Sequence, residues 1–153
     1  MIYLLRHGDA EDGDGDDSAR RLTPKGERQA QAVGRSLVAL GARIDACLAS
    51  PKVRAAETAR LACAPLEIEP EAASELRGGG FDALALNAGR GDVLLVGHEP
   101  DLSSAIAQIT GARVRMRKGG LAIVDGSTLV ALLRPVELDA IAGGRSGGAT
   151  PLG

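Results

Sequence analysis

Short apolar runs alternate with segments of helical periodicity along most of the chain. Three such runs, each bounded by polar or turn-forming residues and typical of buried strands, fill residues 2–5, 44–49 and 92–96. From Thr23-Pro24 to Gly41, apolar residues recur at helical spacing, which predicts a helix over 24–40 with Thr23 as its N-cap. The alternation of strands and helices predicts a largely parallel sheet covered on both faces.

The other predicted elements follow from caps, prolines and glycines. They are a helix from Ser50-Pro51 to about Cys63, a strand over 66–68, a short helix over 81–88, a helix from Pro100-Asp101 to Gly111, two strands around the turn Asp125-Gly126 and a last short helix. The predicted fold class is therefore a three-layer α/β/α sandwich, with a mostly parallel sheet that ends in an antiparallel C-terminal hairpin.

Length and charge exclude several function classes. The 153 residues are the size of one domain, and we expect residues 1–143 to form it and the glycine-rich residues 144–153 to be a disordered tail. A net charge of −2 gives no basic footprint for nucleic acid. No apolar run approaches the roughly 18 residues of a membrane span, and no secretory segment opens the chain, so we expect a cytoplasmic protein without membrane or nucleic-acid partners.

The two cysteines carry no sign of a metal or redox site. Cys47 falls in a predicted strand and Cys63 near the end of a predicted helix, and neither belongs to a CxxC pair. We expect two buried thiols in a reduced protein.

Both histidines of the chain directly follow predicted strands, each beside a glycine. They lie in the sequences Arg6-His7-Gly8 and Gly97-His98, and Arg54 lies in the first turn of the helix that follows Ser50. Because ligands of such sheets collect at the carboxyl ends of the strands, we expect these side chains to meet at one edge. The two glycines would let a ligand approach the backbone closely.

Four motifs carry a resemblance to a known family: RHGDA, RLTPKGERQA, SPKVRAAET and VGHEPDLS. Together they resemble the histidine phosphatase superfamily (phosphoglycerate mutase-like), and more narrowly its small phosphohistidine phosphatases of the SixA type, over residues 1–134. The resemblance implies that His7 is the nucleophile and forms a covalent phosphohistidine, and that Arg6, Arg54 and His98 bind the phosphoryl oxygens. Gly8, Ser50 and Glu99, within the same motifs, are further candidates for substrate binding.

The chemistry of phosphoryl transfer fits these residue types. A transferring phosphoryl group spreads negative charge over three oxygens, which Arg6 and Arg54 can clamp with paired donors. We expect nearby arginines to keep His7 neutral and therefore nucleophilic, and His98 to be protonated as a donor to the phosphate. Since the arginines supply the charge that Mg²⁺ supplies elsewhere, neither a metal nor a cofactor is implied.

The proton donor is the least defined part of the site. Glu75 is the candidate, with Asp9 and Glu99 as competitors, and Gly13 stands where many relatives carry an asparagine. A phosphohistidine releases an imidazole with a pKa of about 6.5, which needs far less help from an acid than an alkoxide does. The short stretch over 68–92 leaves little room for a helical insertion above the site. Both features favour a phosphohistidine on a folded protein over a small phosphoester.

Two charged segments have two interpretations each. The six carboxylates from Asp9 to Asp17 form either a solvated loop that packs against nothing or a filter that repels polyanions. The basic run of Arg113, Arg115, Arg117 and Lys118 is either a charged sheet edge or a docking site for an acidic partner.

The sequence therefore predicts a monomeric phosphohistidine phosphatase that acts through phospho-His7. Its predicted substrate is a histidine-phosphorylated protein, either a phosphorelay domain or a phosphocarrier. The alternatives are a phosphatase of small-molecule phosphoesters using the same site, and a module that binds phosphate without turnover. A mutase is disfavoured because no additional basic pocket for a second phosphate is evident in the sequence.

Overall fold

Six strands form one mixed sheet in a computed structural model that describes residues 1–13 and 15–143. The strands are β1 (Ile2–Arg6), β2 (Ala46–Ala49), β3 (Pro70–Ala72), β4 (Val93–Gly97), β5 (Leu121–Asp125) and β6 (Thr128–Leu133). Their order across the sheet is β3-β2-β4-β1-β5-β6. The first four are mutually parallel, whereas β5 runs antiparallel to β1 and pairs with β6 in a hairpin. The predicted mostly parallel sheet with an antiparallel C-terminal hairpin is confirmed.

Helices cover both faces of this sheet. They are α1 (Pro24–Ala39), α2 (Val53–Cys63), α3 (Ala83–Asn87), α4 (Asp101–Thr110) and α5 (Pro135–Ala142). Side chains of α1, α2 and α5 pack on the face that carries Tyr3 and Leu5, while those of α3 and α4 pack on the face that carries Ile2 and Leu4. The three-layer sandwich is thus confirmed. Across the described part of the chain, no helix is both long and apolar enough to cross a bilayer.

The core is aliphatic on both sides of the sheet. All five residues of β4 are buried, because this strand lies between β1 and β2 with helices above and below. Cys47 and Cys63 are both buried, free thiols, as the sequence predicts.

Two predicted elements differ from the structure, a strand and the start of a helix. The strand expected over 66–68 is wrong, because Pro65 opens a 3₁₀ turn over Ala64–Leu66 and Glu67 adopts a left-handed conformation with φ 57°. The third strand is instead the mostly exposed segment Pro70–Ala72, which pairs with β2 at the sheet edge. The helix expected from Ser50-Pro51 begins at Val53, since the Ser50 hydroxyl accepts the Lys52 N–H rather than capping the helix.

The loop after β1 is packed, so the expectation that the acidic segment packs against nothing is wrong. Ala10 is buried and forms an isolated antiparallel bridge with Leu22. A Cβ on Gly8 would lie 2.6 Å from the Gly26 carbonyl oxygen, so this glycine allows β1 and α1 to pack closely. Gly8 thus has a packing role, and its expected contact with a ligand stays a prediction. The predicted disordered tail, 144–153, lies outside the described residues.

Candidate active site

The sheet places the two histidines side by side. Arg6 pairs with Gly97 in the register of β1 and β4, so the two strands end at the same edge of the sheet. The residues that follow them, His7 and His98, therefore lie at that edge. The His7 N–H donates to the Gly97 carbonyl at 3.1 Å. The centroids of the His7 and His98 rings are consequently 5.2 Å apart, with the ring planes inclined at 53°.

His7 is held as a neutral ring with one nitrogen free. Its Nδ1 lies 2.7 Å from the Gly8 carbonyl oxygen, which can only accept, so the proton is on Nδ1 and Nε2 keeps its lone pair. Burial lowers the pKa of His7 to about 3, against the opposing effect of the Gly8 hydrogen bond, and His98, Arg54 and Arg6 lower it further. The ring is therefore neutral at physiological pH, with burial as the main cause and the arginines as minor ones.

His98 is also neutral in the folded protein. Burial and the charges of Arg54 and Lys52 lower its pKa to about 4, so His98 is neutral without phosphate, and its protonation as a donor to bound phosphate stays a prediction. Its Nε2 lies 2.8 Å from Ser50 Oγ. With the Ser50 hydroxyl donating to Nε2, the ring proton is on Nδ1, which is buried and has no partner among the described residues.

The two arginines are anchored from outside the site. Arg6 Nη1 donates to the Met116 carbonyl at 3.0 Å, and Arg54 Nη1 donates to the Asp17 carbonyl at 2.8 Å. The Nε atoms of both arginines are buried and have no partner within residues 1–13 and 15–143. Each guanidinium is thus fixed at its far end and keeps Nε–H available.

The candidate residues Ser50 and Glu99 contact other groups of the site and hold them in place. Ser50 is fully buried between His98 Nε2 and the Lys52 N–H, so it orients the ring. The Glu99 carboxylate accepts the N–H groups of Ser103 at 2.8 Å and Met116 at 3.2 Å. It therefore fixes the start of α4 to the segment that anchors Arg6.

Thr58 is a site residue that sequence reasoning missed. Its Oγ1 accepts the Gly8 N–H at 3.1 Å and donates to the Arg54 carbonyl at 2.6 Å, fully buried. It thereby joins the loop of His7 to the helix of Arg54. Its position one turn after Arg54 in SPKVRAAET was the available signal.

Asp17 is the second missed residue, and it contacts Arg54 directly. Its Oδ2 accepts from Arg54 Nη2 at 3.2 Å and from Lys52 Nζ at 3.1 Å. Lys52 and Arg54 hold the pKa of this carboxyl far below its usual range. Asp17 therefore stays ionised and connects the acidic loop to the site. The sequence did not distinguish Asp17 because five similar carboxylates precede it in the same loop.

Asp17→Ala should lower kcat/KM about tenfold, because Arg54 loses its contact with the Asp17 carboxylate and keeps only the one with the Asp17 backbone carbonyl. Steady-state rates with a phosphorylated substrate measure the effect. Asp12→Ala, which removes an exposed carboxylate from the same loop, is the matched control and should change little. A faster Asp17→Ala enzyme would show instead that Asp17 competes with the substrate for Arg54.

None of the three candidate proton donors is a buried, unengaged acid. Glu75 is exposed and accepts a hydrogen bond from Ser74. Asp9 Oδ2 accepts from the Thr23 hydroxyl at 2.8 Å, and both oxygens of Glu99 accept backbone N–H groups.

In the described ranges, no three His, Cys, Asp or Glu side chains cluster as ligands for one metal ion.

The two buried imidazoles make stability depend on pH. Folded pKa values of about 3 and about 4 lie below the ordinary value near 6.5. Between these limits the unfolded chain binds protons that the folded chain excludes, so these groups lower the free energy of unfolding as pH falls below 6.5 and contribute nothing above it. We expect a loss on the order of 4 kcal/mol between pH 7 and pH 5, with about 2 kcal/mol from each imidazole, measured by urea unfolding. The double variant His7→Gln, His98→Gln should lose most of this dependence, and an unchanged dependence would contradict the assignment.

Comparison with known proteins shows the family to which the chain belongs. The family model described as "Histidine phosphatase superfamily (branch 1)" matches residues 2–86, which include the segments of His7 and Arg54. An uncharacterized protein of Picosynechococcus sp. is 36% identical over 134 residues, covering 78% of this chain and 81% of the relative. The chain therefore belongs to the histidine phosphatase superfamily.

Solved structures share the fold over most of the chain. The protein histidine phosphatase SixA complexed with tungstate superposes with a TM-score of 0.77 at 24% identity, covering 90% of this chain and 98% of that one. The alpha-ribazole phosphatase from Shigella flexneri has a TM-score of 0.67 at 20% identity, covering 88% of this chain and 96% of that one. At these identities the likeness shows a common fold, shared by phosphatases of different substrates.

Proposed function

We propose that the protein is a phosphohistidine phosphatase that removes phosphate from a histidine-phosphorylated protein without a metal ion. In this proposal His7 is the nucleophile, and Arg6, Arg54 and His98 bind the phosphoryl oxygens. Ser50, Thr58, Asp17 and Glu99 hold those four side chains in place. A cytoplasmic monomer acting on a phosphorelay or phosphocarrier domain remains part of the proposal.

One observation carries the proposal: the ring beside His7 and the two arginines whose charges act on His7 each hold a buried nitrogen that has no partner among the described residues. These nitrogens are Arg6 Nε, Arg54 Nε and His98 Nδ1. Leaving a buried donor unpaired costs about 1–3 kcal/mol, so three such donors on residues that neighbour or act on His7 favour an acceptor with several oxygens. A phosphoryl group offers three, and its negative charge matches the two guanidinium groups.

The bound anion would also change His98. A phosphate dianion against Nδ1 favours the imidazolium and so raises a pKa that burial lowers. His98 would then be positively charged only when phosphate is bound, so its charge would stabilise the reacting phosphoryl group.

Transfer from one imidazole to another needs no strong acid. Nε2 of His7 attacks phosphorus, and the bond from phosphorus to the substrate imidazole breaks, its electron pair leaving with that ring. A substrate ring protonated on its second nitrogen departs as neutral imidazole, and phospho-His7 becomes the cationic ring. The Gly8 carbonyl, which accepts Nδ1–H, stabilises that cation. Water then attacks phosphorus, the bond to Nε2 breaks, and neutral His7 and dihydrogen phosphate result.

The positions of the carboxyls support a nitrogen–phosphorus bond over an ester. An alkoxide leaves unprotonated only at a cost of many powers of ten, so an ester phosphatase needs a placed acid. Glu75 is exposed, and Asp9 and Glu99 are engaged in hydrogen bonds. The proposed substrate therefore carries its own good leaving group.

Glu75→Gln should keep phosphohistidine hydrolysis within about twofold of the unmodified enzyme, because no enzymic acid is required. The measurement compares kcat/KM on a histidine-phosphorylated peptide with kcat/KM on a panel of sugar phosphates. Glu71→Gln, an exposed carboxylate on β3, is the control. A loss of several hundredfold in Glu75→Gln, or faster turnover of sugar phosphates than of phosphohistidine, would favour the small-phosphoester alternative.

A further inference from the structure

A band of basic side chains leads away from Arg6 across the surface. We call it the basic lane, and it comprises Lys25, Arg28, Arg35, Arg115, Arg117 and Lys118. A groove of about 430 Å³ joins Arg6 to Lys25, Arg115, Arg117 and Lys118. A second groove of about 580 Å³ continues past Arg28 to Arg35, and the two share Lys25, Gln29 and Pro135.

The charges of the basic lane are largely uncompensated. All six side chains are exposed, and Lys118 alone lies near a carboxylate within the described residues, 3.8 Å from Asp9. Asp9 and Asp139 are the two acids that line the grooves. This concentration of positive charge occurs in a chain with net charge −2, so it produces a local field opposite in sign to the whole protein.

The length of the basic lane indicates the size of its ligand. Lys25, Arg28 and Arg35 share one face of α1, and ten residues of helix from Lys25 to Arg35 span about 15 Å. A small phosphoester seated at His7 would leave most of that length uncovered. Exposed, flexible cations over such a distance match the acidic surface of a folded protein.

We propose that the basic lane binds acidic side chains that surround the phosphohistidine of a protein substrate. This rests on the proposed function, since it assigns a partner to the same phosphoryl site. Complementary charge would speed association and orient the phosphorylated ring toward His7, and both effects would weaken as salt screens them.

The experiment compares three probes and three variants at low and high salt. The probes are a synthetic peptide with one phosphohistidine flanked by glutamates, the same peptide with glutamines, and free phosphohistidine. The variants are Arg115→Glu with Arg117→Glu, Arg28→Glu with Arg35→Glu, and a control, Arg43→Glu with Arg90→Glu. The control makes the same change in net charge at the opposite edge of the sheet, before β2 and β4.

We expect kcat/KM on the glutamate peptide to fall about tenfold at low salt in each lane variant and to recover at high salt. Free phosphohistidine should change less than about twofold, because no acidic side chains reach the lane. The variant Arg28→Glu with Arg35→Glu lies on α1, away from Met116. A loss of activity in it cannot come from a folding defect around Met116, which the Arg115 and Arg117 substitutions could cause. Equal rates for wild type and both lane variants on the glutamate peptide would overturn the docking proposal and leave phosphohistidine hydrolysis standing.

Binding of the unphosphorylated glutamate peptide separates the two proposals. If the wild-type protein binds this peptide through the basic lane but hydrolyses no phosphohistidine, the docking surface is supported and the proposed function is contradicted. Lane variants that lose activity on a sugar bisphosphate, and none on the peptide, would assign the lane to a second phosphate and overturn docking.

Discussion

His7→Ala should lower the rate of phosphohistidine hydrolysis on the order of 10⁵-fold, to the level of the residual catalysis that binding alone provides. The reason is geometric: Nε2 of His7 carries a lone pair because the Gly8 carbonyl fixes the proton on Nδ1. His98 lies beside it, yet its Nε2 is engaged with Ser50 and cannot replace the lost nucleophile. Single-turnover rates with a phosphohistidine peptide measure the effect.

The control for His7→Ala is phosphate binding. Arg6, Arg54 and His98 remain in place in the variant, so inorganic phosphate should bind within about tenfold of the wild-type affinity. Loss of phosphate binding along with activity would indicate a collapsed site and leave the nucleophile to be tested by His7→Gln. A His7→Ala enzyme that turns over at a tenth of the wild-type rate would contradict the assignment of the nucleophile.

Arg54→Ala should lower kcat/KM about 10³-fold, since it removes a fixed cation from the developing charge on the phosphoryl oxygens. Arg54 is 5% exposed, and Asp17 holds its guanidinium in place. In the variant, mobile water would fill the space and would stabilise the phosphoryl charge less than the fixed cation does. The measurement is kcat/KM on the phosphohistidine peptide, with thermal unfolding to confirm the fold.

Two further variants test why Arg54 matters. Arg54→Lys keeps the charge without the planar fork and should recover about tenfold of the loss. Arg60→Ala removes an exposed arginine from the same helix and should be silent. If Arg54→Ala and Arg60→Ala lost activity equally, the effect would come from α2 as a whole and not from a phosphoryl clamp.

The sequence predicted the fold well where apolar runs were long and buried. β1 and β4 each combine an apolar run with a glycine-bounded end, and helix α1 has a proline at its first position after Thr23. β3 escaped prediction because an edge strand of three residues, Pro70–Ala72, has no buried face and therefore no apolar pattern.

The sequence also placed the four candidate site residues at one sheet edge, since the segments that follow the carboxyl ends of neighbouring strands meet there. It could not supply the contacts between distant loops. Asp17 reaches Arg54 and Thr58 reaches Gly8 across 37 and 50 positions of the chain. The sequence could not show that His98 is neutral before phosphate binds, because burial depends on the packing of all three layers and not on neighbours in sequence.

In the proposed mechanism, phosphate passes through His7. The direct measurement is to mix enzyme with a phosphohistidine peptide labelled in its phosphate, quench within the first turnover in alkali, and locate the label in the digested protein. The chain holds two histidines, so the peptides containing His7 and His98 are distinguishable. We predict acid-labile, alkali-stable phosphate on His7. Label on His98, on any acid-stable position, or on no residue while turnover proceeds would contradict the account.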